Sequence, residues 1–327
     1  MSKVGIQGFG AYVPKRVMTN DDWAEYVDTS DEWITSRTGI KTRRIAAPGE
    51  NTTDLAEPAA RAALEDAGIR PSDVDELIVA TDTPEVYAPD TAAFLQFRLG
   101  LGEIPAYDLG GSGCAGFVLA LDIAKTRSQA GGKTILVVGV ELLSRVMDWA
   151  DRNTCVLFGD AAGAAVVSPA DGVAEILACT AGTDGSRTEI LQREAGGTRK
   201  PFSKELADSG DFLKIDFNGR EVFKEAVRRM CSGAEDVLSR AGCNLADVDL
   251  VVPHQANLRI IRAVAKRLEI GPEKVFTNVD IYGNTGSASI PLALHSAREC
   301  GSLHSGSLVL LTAFGAGFHW ASALIRF

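Results

Sequence analysis

Ala63-Leu64-Glu65-Asp66-Ala67-Gly68-Ile69-Arg70-Pro71-Ser72-Asp73-Val74-Asp75 has a counterpart 174 positions later, Val237-Leu238-Ser239-Arg240-Ala241-Gly242-Cys243-Asn244-Leu245-Ala246-Asp247-Val248-Asp249. In both copies an apolar helical run stops at Ala-Gly, a turn carries Asp-Val-Asp, and a hydrophobic strand follows. The glycine suits a helix C-cap, where the backbone turns left-handed. A weaker echo joins Phe158-Gly159 leading into Gly163–Val167 with Phe314-Gly315 leading into Ala321–Ile325. Helix-turn-strand units can look alike by chance, but the two echoes together favour a duplicated α/β half. The join is expected near residue 170, giving halves at 1–170 and 171–327.

The alternation of short Val/Ile/Leu runs with helical patterns extends this reading to the whole chain. Strands are expected at Leu77–Thr81, Thr134–Gly139, Ala164–Ser168, Leu250–Pro253, Ser307–Thr312 and Ser322–Phe327. Helices are expected at Thr53–Ala67, Gly116–Gln129, Gly219–Ala241, Leu258–Leu268 and Ser289–Glu299. Residues 182–210, rich in Gly, Ser, Arg, Lys and Glu, read as a long loop that either is solvated or covers a site.

Composition narrows the function. The 327 residues are 46% apolar and 23% charged, and 33 Lys plus Arg against 43 Asp plus Glu leave a net charge of −10. That balance argues against a nucleic-acid groove, which needs a basic footprint. No apolar run approaches the roughly 18 to 20 residues of a membrane span, and Met1-Ser2-Lys3-Val4-Gly5 is not a signal-peptide start, so a cytoplasmic location is expected. The six cysteines are scattered, with no C-x-x-C pair and no histidine at metal-ligand spacing; most should be buried and inert.

Four segments could carry chemistry. Cys114, in Gly110-Gly111-Ser112-Gly113-Cys114-Ala115-Gly116, stands among small residues just before a helical run, where a helix N-terminus would favour a thiolate. An inert cysteine in a tight turn fits the same letters. His254, in Val251-Val252-Pro253-His254-Gln255-Ala256-Asn257, follows an apolar strand, the place where α/β sheets set ligands, although a satisfied polar residue is the commoner occupant. Asn284, in Tyr282-Gly283-Asn284-Thr285-Gly286-Ser287-Ala288-Ser289, reads locally as a turn and helix cap. Phe314-Gly315-Ala316-Gly317-Phe318 is either a tight turn or a source of bare backbone N–H groups for an oxyanion.

In this order the segments resemble the β-ketoacyl-acyl-carrier-protein synthase III family of thiolase-superfamily condensing enzymes, over essentially the whole chain. The carrying motifs are Asp28-Thr29-Ser30-Asp31-Glu32-Trp33-Ile34, Arg37-Thr38-Gly39-Ile40, Cys114-Ala115-Gly116-Phe117, Phe158-Gly159-Asp160, Val252–Ile260, Gly283-Asn284-Thr285, Gly317-Phe318 with Trp320, and Arg326-Phe327. The resemblance implies a five-layered αβαβα fold of two similar halves, assembled as a homodimer. It implies a Cys114-His254-Asn284 triad and an oxyanion hole from the backbone N–H groups of Cys114 and Gly317. The implied reaction transfers the acyl group of an acyl-CoA to Cys114, then condenses it with malonyl-acyl-carrier protein as carbon dioxide leaves. The product, a β-ketoacyl-carrier protein, initiates fatty-acid synthesis, with no metal or redox cofactor.

Further positions follow from the same resemblance. Trp33 and Arg152 would sandwich the CoA adenine, Arg37 would bind phosphate, and Phe223 and Asn257 would line the pantetheine tunnel. Lys224, Arg259, Lys266 and Arg267 would dock an acidic carrier protein, where the residues alone suggest only a solvated helix face. The chain departs from many relatives at Gly111-Ser112-Gly113, at Arg220 in place of an Asn, and at Tyr87-Ala88-Pro89. At this last site relatives carry a Phe before the proline, contributed by the partner subunit to the acyl-pocket floor. Tyr87 and Ala88 are therefore expected to shape a pocket that takes acyl groups beyond acetyl.

Three other readings compete. A condensing enzyme priming a polyketide or other secondary-metabolite pathway would carry the same motifs. A catalytically silent partner subunit would lack part of the triad. A dinucleotide-binding enzyme is suggested only by Gly8-Phe9-Gly10, which lacks the third glycine and meets Val13-Pro14 where a helix should continue.

Overall fold

A computed structural model describes residues 3–169 and 172–327. The first two residues of the chain start and the join expected at residues 170 and 171 lie outside the described residues. Nine strands form one sheet: β1 (Gly5–Tyr12), β2 (Glu76–Ala80), β3 (Ala106–Leu109), β4 (Ile135–Leu142), β5 (Asp160–Ser168), β6 (Ala174–Thr183), β7 (Leu250–Pro253), β8 (Leu308–Gly315) and β9 (His319–Arg326). Their order is β7-β8-β9-β6-β1-β5-β4-β2-β3. At the centre β1 and β6 pair only through Gly5 with Glu175 and Ile6 with Ala174, so the sheet is two blocks joined by a short ladder. Among the described residues, seven helices of eight residues or more surround it: α1 (Asp31–Thr38), α2 (Thr52–Ala67), α3 (Thr91–Leu99), α4 (Gly116–Gly131), α5 (Gly219–Ala241), α6 (Leu258–Arg267) and α7 (Ser289–Glu299).

The two-residue period of the strands builds the layers. Leu77, Val79, Leu136, Val138, Ala164 and Val166 point to one face and pack on Leu55, Ala59 and Ala63 of α2 and Leu95 of α3. Their neighbours Ile78, Ala80, Ile135, Val137, Ala165 and Val167 point the other way, onto Phe117, Val118 and Leu121 of α4 and Ile290 and Leu294 of α7. Val252, Val309, Leu311, Ala323 and Ile325 of the second block reach that same central core. Val251, Leu308, Leu310 and Leu324 face outward to Val222, Met230 and Val237 of α5 and Val264 of α6. The result is α, β, α, β, α, with α4 and α7 sandwiched between the two blocks.

The repeat that opened the sequence reading has a structural meaning. α2 and α5 both stop at a left-handed glycine, Gly68 at φ 64° and Gly242 at φ 67°. After each, the second aspartate of Asp-Val-Asp grips the next strand over: Asp75 accepts from the Thr134 N–H at 2.8 Å, and Asp249 from the Leu308 N–H at 2.8 Å. In return the Asp75 N–H donates to the Thr134 carbonyl and the Asp249 N–H to the Leu308 carbonyl. The second echo corresponds to the antiparallel pairs β4 with β5 and β8 with β9.

Three expectations are corrected. β1 and β6, at the centre of the sheet, and the edge strand β3 were not anticipated. β1 holds Gly8 and Gly10, whose missing side chains let the strand lie directly on α2; a Cβ on either would strike the backbone of Ala59, Ala63 or Ala67. Gly8-Phe9-Gly10 is thus close strand-helix packing, not a phosphate-binding turn. The stretch 182–210 is less loop-like than read, since β6 runs to Thr183 and Leu191–Gln192 pairs with Asp216–Phe217.

Candidate active site

The C-terminal ends of β2, β4, β7 and β8 and the start of α4 open into a cavity of about 1160 Å³. Cys114, His254 and Asn284 all line it, although they come from segments 140 and 30 residues apart. Cys114 occupies a single tight turn, Gly113–Ala115, that runs straight into α4. Gly113 is at φ 58°, and a Cβ there would stand 2.6 Å from the Ala316 nitrogen. The absence of a side chain at Gly113, matched by Gly315 on the facing turn, is therefore what lets the turn after β8 approach the cysteine. Ser287 Oγ donates to the Gly113 carbonyl at 3.1 Å, a direct tie from the second half of the chain.

His254 follows β7, and its N–H donates to the Thr312 carbonyl at 2.8 Å, continuing the ladder with β8. The ring is 2% exposed. Its Nδ1 lies 2.6 Å from Ser289 Oγ, at the first residue of α7, which leaves Nε2 as the ring nitrogen available to the cavity. Burial lowers its pKa to about 3, so the imidazole is neutral at any physiological pH. Asn284 is held by its N–H to the Leu157 carbonyl, 2.8 Å, and its Oδ1 accepts from the Gly286 N–H at 2.9 Å. With the oxygen so occupied, the amide NH₂ is the end presented to Cys114, with which Asn284 shares a side-chain hydrogen bond.

The electrostatics of Cys114 overturn one expectation. Its depth, followed by the carboxylates of Asp82 and Glu141, pushes the thiol pKa up rather than down. Glu141 is 1% exposed and accepts from the Asp82 N–H at 3.1 Å and Thr83 Oγ1 at 2.8 Å. Burial and the Asp82 charge raise its own pKa. The helix N-terminus is present, but it does not outweigh desolvation and two nearby carboxyl groups. With a neutral histidine, the resting site is a thiol and an imidazole, not a thiolate-imidazolium pair. Alkylation of Cys114 by iodoacetamide should accordingly rise about tenfold per pH unit from 7 to 9 without levelling off. A plateau below pH 8 in the rate measured by mass spectrometry would contradict this assignment.

The other predicted residues divide. Trp33, Arg37, Tyr87, Arg220, Phe223, Asn257 and Arg259 line the cavity; Ala88, Arg152, Lys224, Lys266, Arg267 and Gly317 do not. Gly315 and Ala316 form the wall beside Cys114, whereas Gly317, at φ 118°, sits against the His319 ring. Gly317, expected as the second oxyanion donor, stands one residue beyond the part of this turn that lines the cavity, which ends at Ala316. Arg152 Cζ lies 4.7 Å from the Trp33 ring centroid and Arg37 Cζ 4.5 Å, so both guanidinium groups are within cation–π reach of the indole. Arg152 is anchored by donating to the Asp28 carbonyl at 2.7 Å. Lys224 on α5 and Arg259, Lys266 and Arg267 on α6 are all exposed, on helices that share one core.

Residues missed from the sequence are Glu141, Asp82, Ala316 and the strap residues Leu191, Gln192 and Arg193, which close one side of the cavity. Glu141 had a visible signal: it is a carboxylate at the end of the otherwise apolar run Ile135–Val140. The strap had none beyond its length.

A cysteine nucleophile, a neutral imidazole and a fixed amide converging at the floor of a long cavity, in five layers of α and β, define a thiolase-fold acyl-transferring enzyme. The chain belongs to the 3-oxoacyl-[acyl-carrier-protein] synthase III family, and is an acyltransferase. Residues 107–185 match the family 3-oxoacyl-[acyl-carrier-protein (ACP)] synthase III, and residues 238–327 match its C-terminal part. The β-ketoacyl-[acyl-carrier-protein] synthase III of Roseiflexus castenholzii is 48% identical over 322 residues, covering 98% of this chain and 97% of that protein. The crystal structure of 3-oxoacyl-[acyl-carrier-protein] synthase III from Aquifex aeolicus VF5 superposes with a TM-score of 0.90 at 45% identity, over 99% of this chain and all of that one. A priming β-ketosynthase from the R1128 polyketide pathway is similar at 34% identity and a TM-score of 0.89, over 99% of this chain and 96% of that one.

Proposed function

We propose that the chain condenses an acyl-CoA starter with malonyl-acyl-carrier protein and so initiates fatty-acid synthesis. The observation that carries the reading is the convergence of Cys114, the free edge of neutral His254 and the amide of Asn284 on one cavity. Cys114 Sγ attacks the thioester carbonyl of acyl-CoA; the carbonyl oxygen takes up negative charge beside the N–H groups of Cys114 and Ala316, the C–S bond to CoA breaks, and CoA leaves with the thiol proton. Malonyl-carrier protein then enters. His254 Nε2–H and Asn284 Nδ2–H donate to the malonyl thioester oxygen, the bond to the carboxylate breaks, and carbon dioxide leaves its electron pair in the enolate. The enolate carbon attacks the acyl carbonyl, and Cys114 departs and regains a proton.

Around this centre, Trp33 receives the adenine once Arg152 swings off its ring, Arg37 meets phosphate, and Phe223 and Asn257 flank the pantetheine arm. Lys224, Arg259, Lys266 and Arg267 dock the carrier protein by charge. The halves divide at 1–170 and 171–327, the first supplying the nucleophile and the second the decarboxylation donors. Two copies associate through the face carrying the edge strand β3 and the exposed Tyr87 and Phe97, 88% and 83% accessible, apolar rings that a lone chain would leave in water. Among the described residues no helix is long and apolar enough to cross a membrane. A cytoplasmic location goes with the acyl-CoA and carrier-protein substrates proposed here.

Tyr87 lines the cavity wall, and the small Ala88 beside it, in the position before Pro89, favours starters larger than acetyl. Incubation with acetyl-, butyryl-, branched and longer acyl-CoAs plus malonyl-carrier protein should give a mass adduct on the Cys114 peptide and turnover with several of the larger groups. Turnover of acetyl-CoA alone would overturn the pocket assignment. Likeness to the polyketide priming enzyme favours a second reading, in which the starter primes a secondary-metabolite pathway. Activity only with a non-fatty-acid carrier protein would select it.

A further inference from the structure

Ser289 is in contact with the ring that performs the decarboxylation, on the side away from the substrate. Its hydroxyl has one proton to give and two lone pairs to receive. The Gln255 N–H donates to Ser289 Oγ at 3.1 Å, using one lone pair. The other short contact is His254 Nδ1 at 2.6 Å. Both His254 and Ser289 are buried, at 2% and 1% exposure, so water does not compete for the bond. Among the described residues, no other acceptor is paired with the Ser289 hydroxyl, so its proton is directed to Nδ1. An imidazole whose Nδ1 accepts must carry its single proton on Nε2.

We infer that Ser289 is a positioning residue: by donating to His254 Nδ1 it fixes the Nε2–H tautomer, and so determines that the ring faces the cavity as a hydrogen-bond donor. The opposite tautomer would present a lone pair to the developing enolate oxygen, repelling the charge the site must hold. Steric and electronic control come from different neighbours: β7 and β8 fix where the ring sits, and Ser289 fixes which nitrogen holds the proton. The placement follows from the fold. α7 is one of the two helices of the central layer, and its first residue is brought under the end of β7. The Gln255 N–H prevents the hydroxyl from rotating freely, since it occupies one lone-pair direction.

This inference rests on the donor role given to His254 above, and its test reads the tautomer separately from activity. Histidine-selective ¹⁵N labelling of the full-length protein, with the His254 signals assigned by difference from His254→Ala, should show a protonated Nε2 and an unprotonated Nδ1 in the wild type. In Ser289→Ala the Nε2–H form should lose its dominance. Decarboxylation of malonyl-carrier protein should fall tenfold or more in kcat with little change in KM, while acylation of Cys114 stays within twofold. Ser289→Thr, which keeps the hydroxyl, should restore both tautomer and rate. A wild-type Nδ1–H tautomer, or an unchanged Nε2–H tautomer in Ser289→Ala, would overturn the inference. Loss of the decarboxylation effect in His254→Ala itself would instead overturn the role of the histidine.

Discussion

Cys114→Ala should form no acyl-enzyme: incubated with acyl-CoA, the variant should show no mass increase, and condensation should fall by about 10³-fold or more, as expected when a covalent nucleophile is removed. The substitution deletes one sulfur from a turn whose shape is set by neighbours that remain. Gly113 still admits the Ala316 backbone, and Ser287 still binds the Gly113 carbonyl. The protein should therefore fold with an unchanged melting temperature, which separates loss of chemistry from loss of structure. Because the decarboxylation donors are on other elements, the variant should still release carbon dioxide from malonyl-carrier protein. An acyl adduct on Cys114→Ala, mapped to any other residue, would refute the assignment. Cys114→Ser is the sharper comparison. The hydroxyl is a poorer nucleophile than a thiol, and neutral His254 offers no cation to stabilise an alkoxide, so this variant should be nearly as inactive as the alanine.

How much of this was legible in the sequence depends on whether the signal was local. The helix ends at Gly68 and Gly242 and the strands after them were readable because the glycine, the Asp-Val-Asp turn and the apolar run are contiguous. α5 begins and ends where its periodicity indicated, Gly219 to Ala241. β1 and β6 were not readable: Gly and Ala, which carry little strand propensity, make up four of eight residues in β1 and four of ten in β6, and what makes them strands is their position between two other strands. The same distinction applies to the site. The motifs around Cys114, His254 and Asn284 were visible, whereas the state of the thiol was not. A helix N-terminus is a local feature and suggested a thiolate; burial of the thiol, followed by Asp82 and Glu141 from two other strand ends, pushes its pKa up instead. Nothing in the sequence announced that Arg152 would lie against the Trp33 ring, its anchor at Asp28 being 124 residues away along the chain. Gly317 and Ala316 differ by one register step in a turn, a distinction the letters Phe-Gly-Ala-Gly-Phe do not carry.

The division of labour within the site yields the most discriminating result. His254→Ala and Asn284→Ala should each leave the acylation rate of Cys114 within a few-fold of wild type. Each should slow decarboxylation by about 10²- to 10³-fold, the loss usual for one preorganised oxyanion donor, equivalent to about 2.7–4 kcal/mol. The asymmetry arises because Cys114 attacks through a thiolate fraction that the neutral histidine does not increase, while the enolate oxygen depends on both donors. Rapid-quench measurement of the acyl-enzyme, alongside carbon dioxide release, separates the two steps. The alternative, in which His254 serves as the base for Cys114, predicts that acylation and decarboxylation fall together in His254→Ala. The pH dependence distinguishes them again. An imidazole that remains neutral down to about pH 3 contributes no ionisation between pH 5 and 8, so any pH dependence of decarboxylation in that range should be the same in wild type and in His254→Ala. Asn284→Asp completes the argument, since it keeps the Oδ1 acceptor for the Gly286 N–H but replaces the NH₂ donor with a charged oxygen. That variant should fold and acylate, yet decarboxylate more slowly than Asn284→Ala, because a carboxylate repels the enolate that the amide would have held.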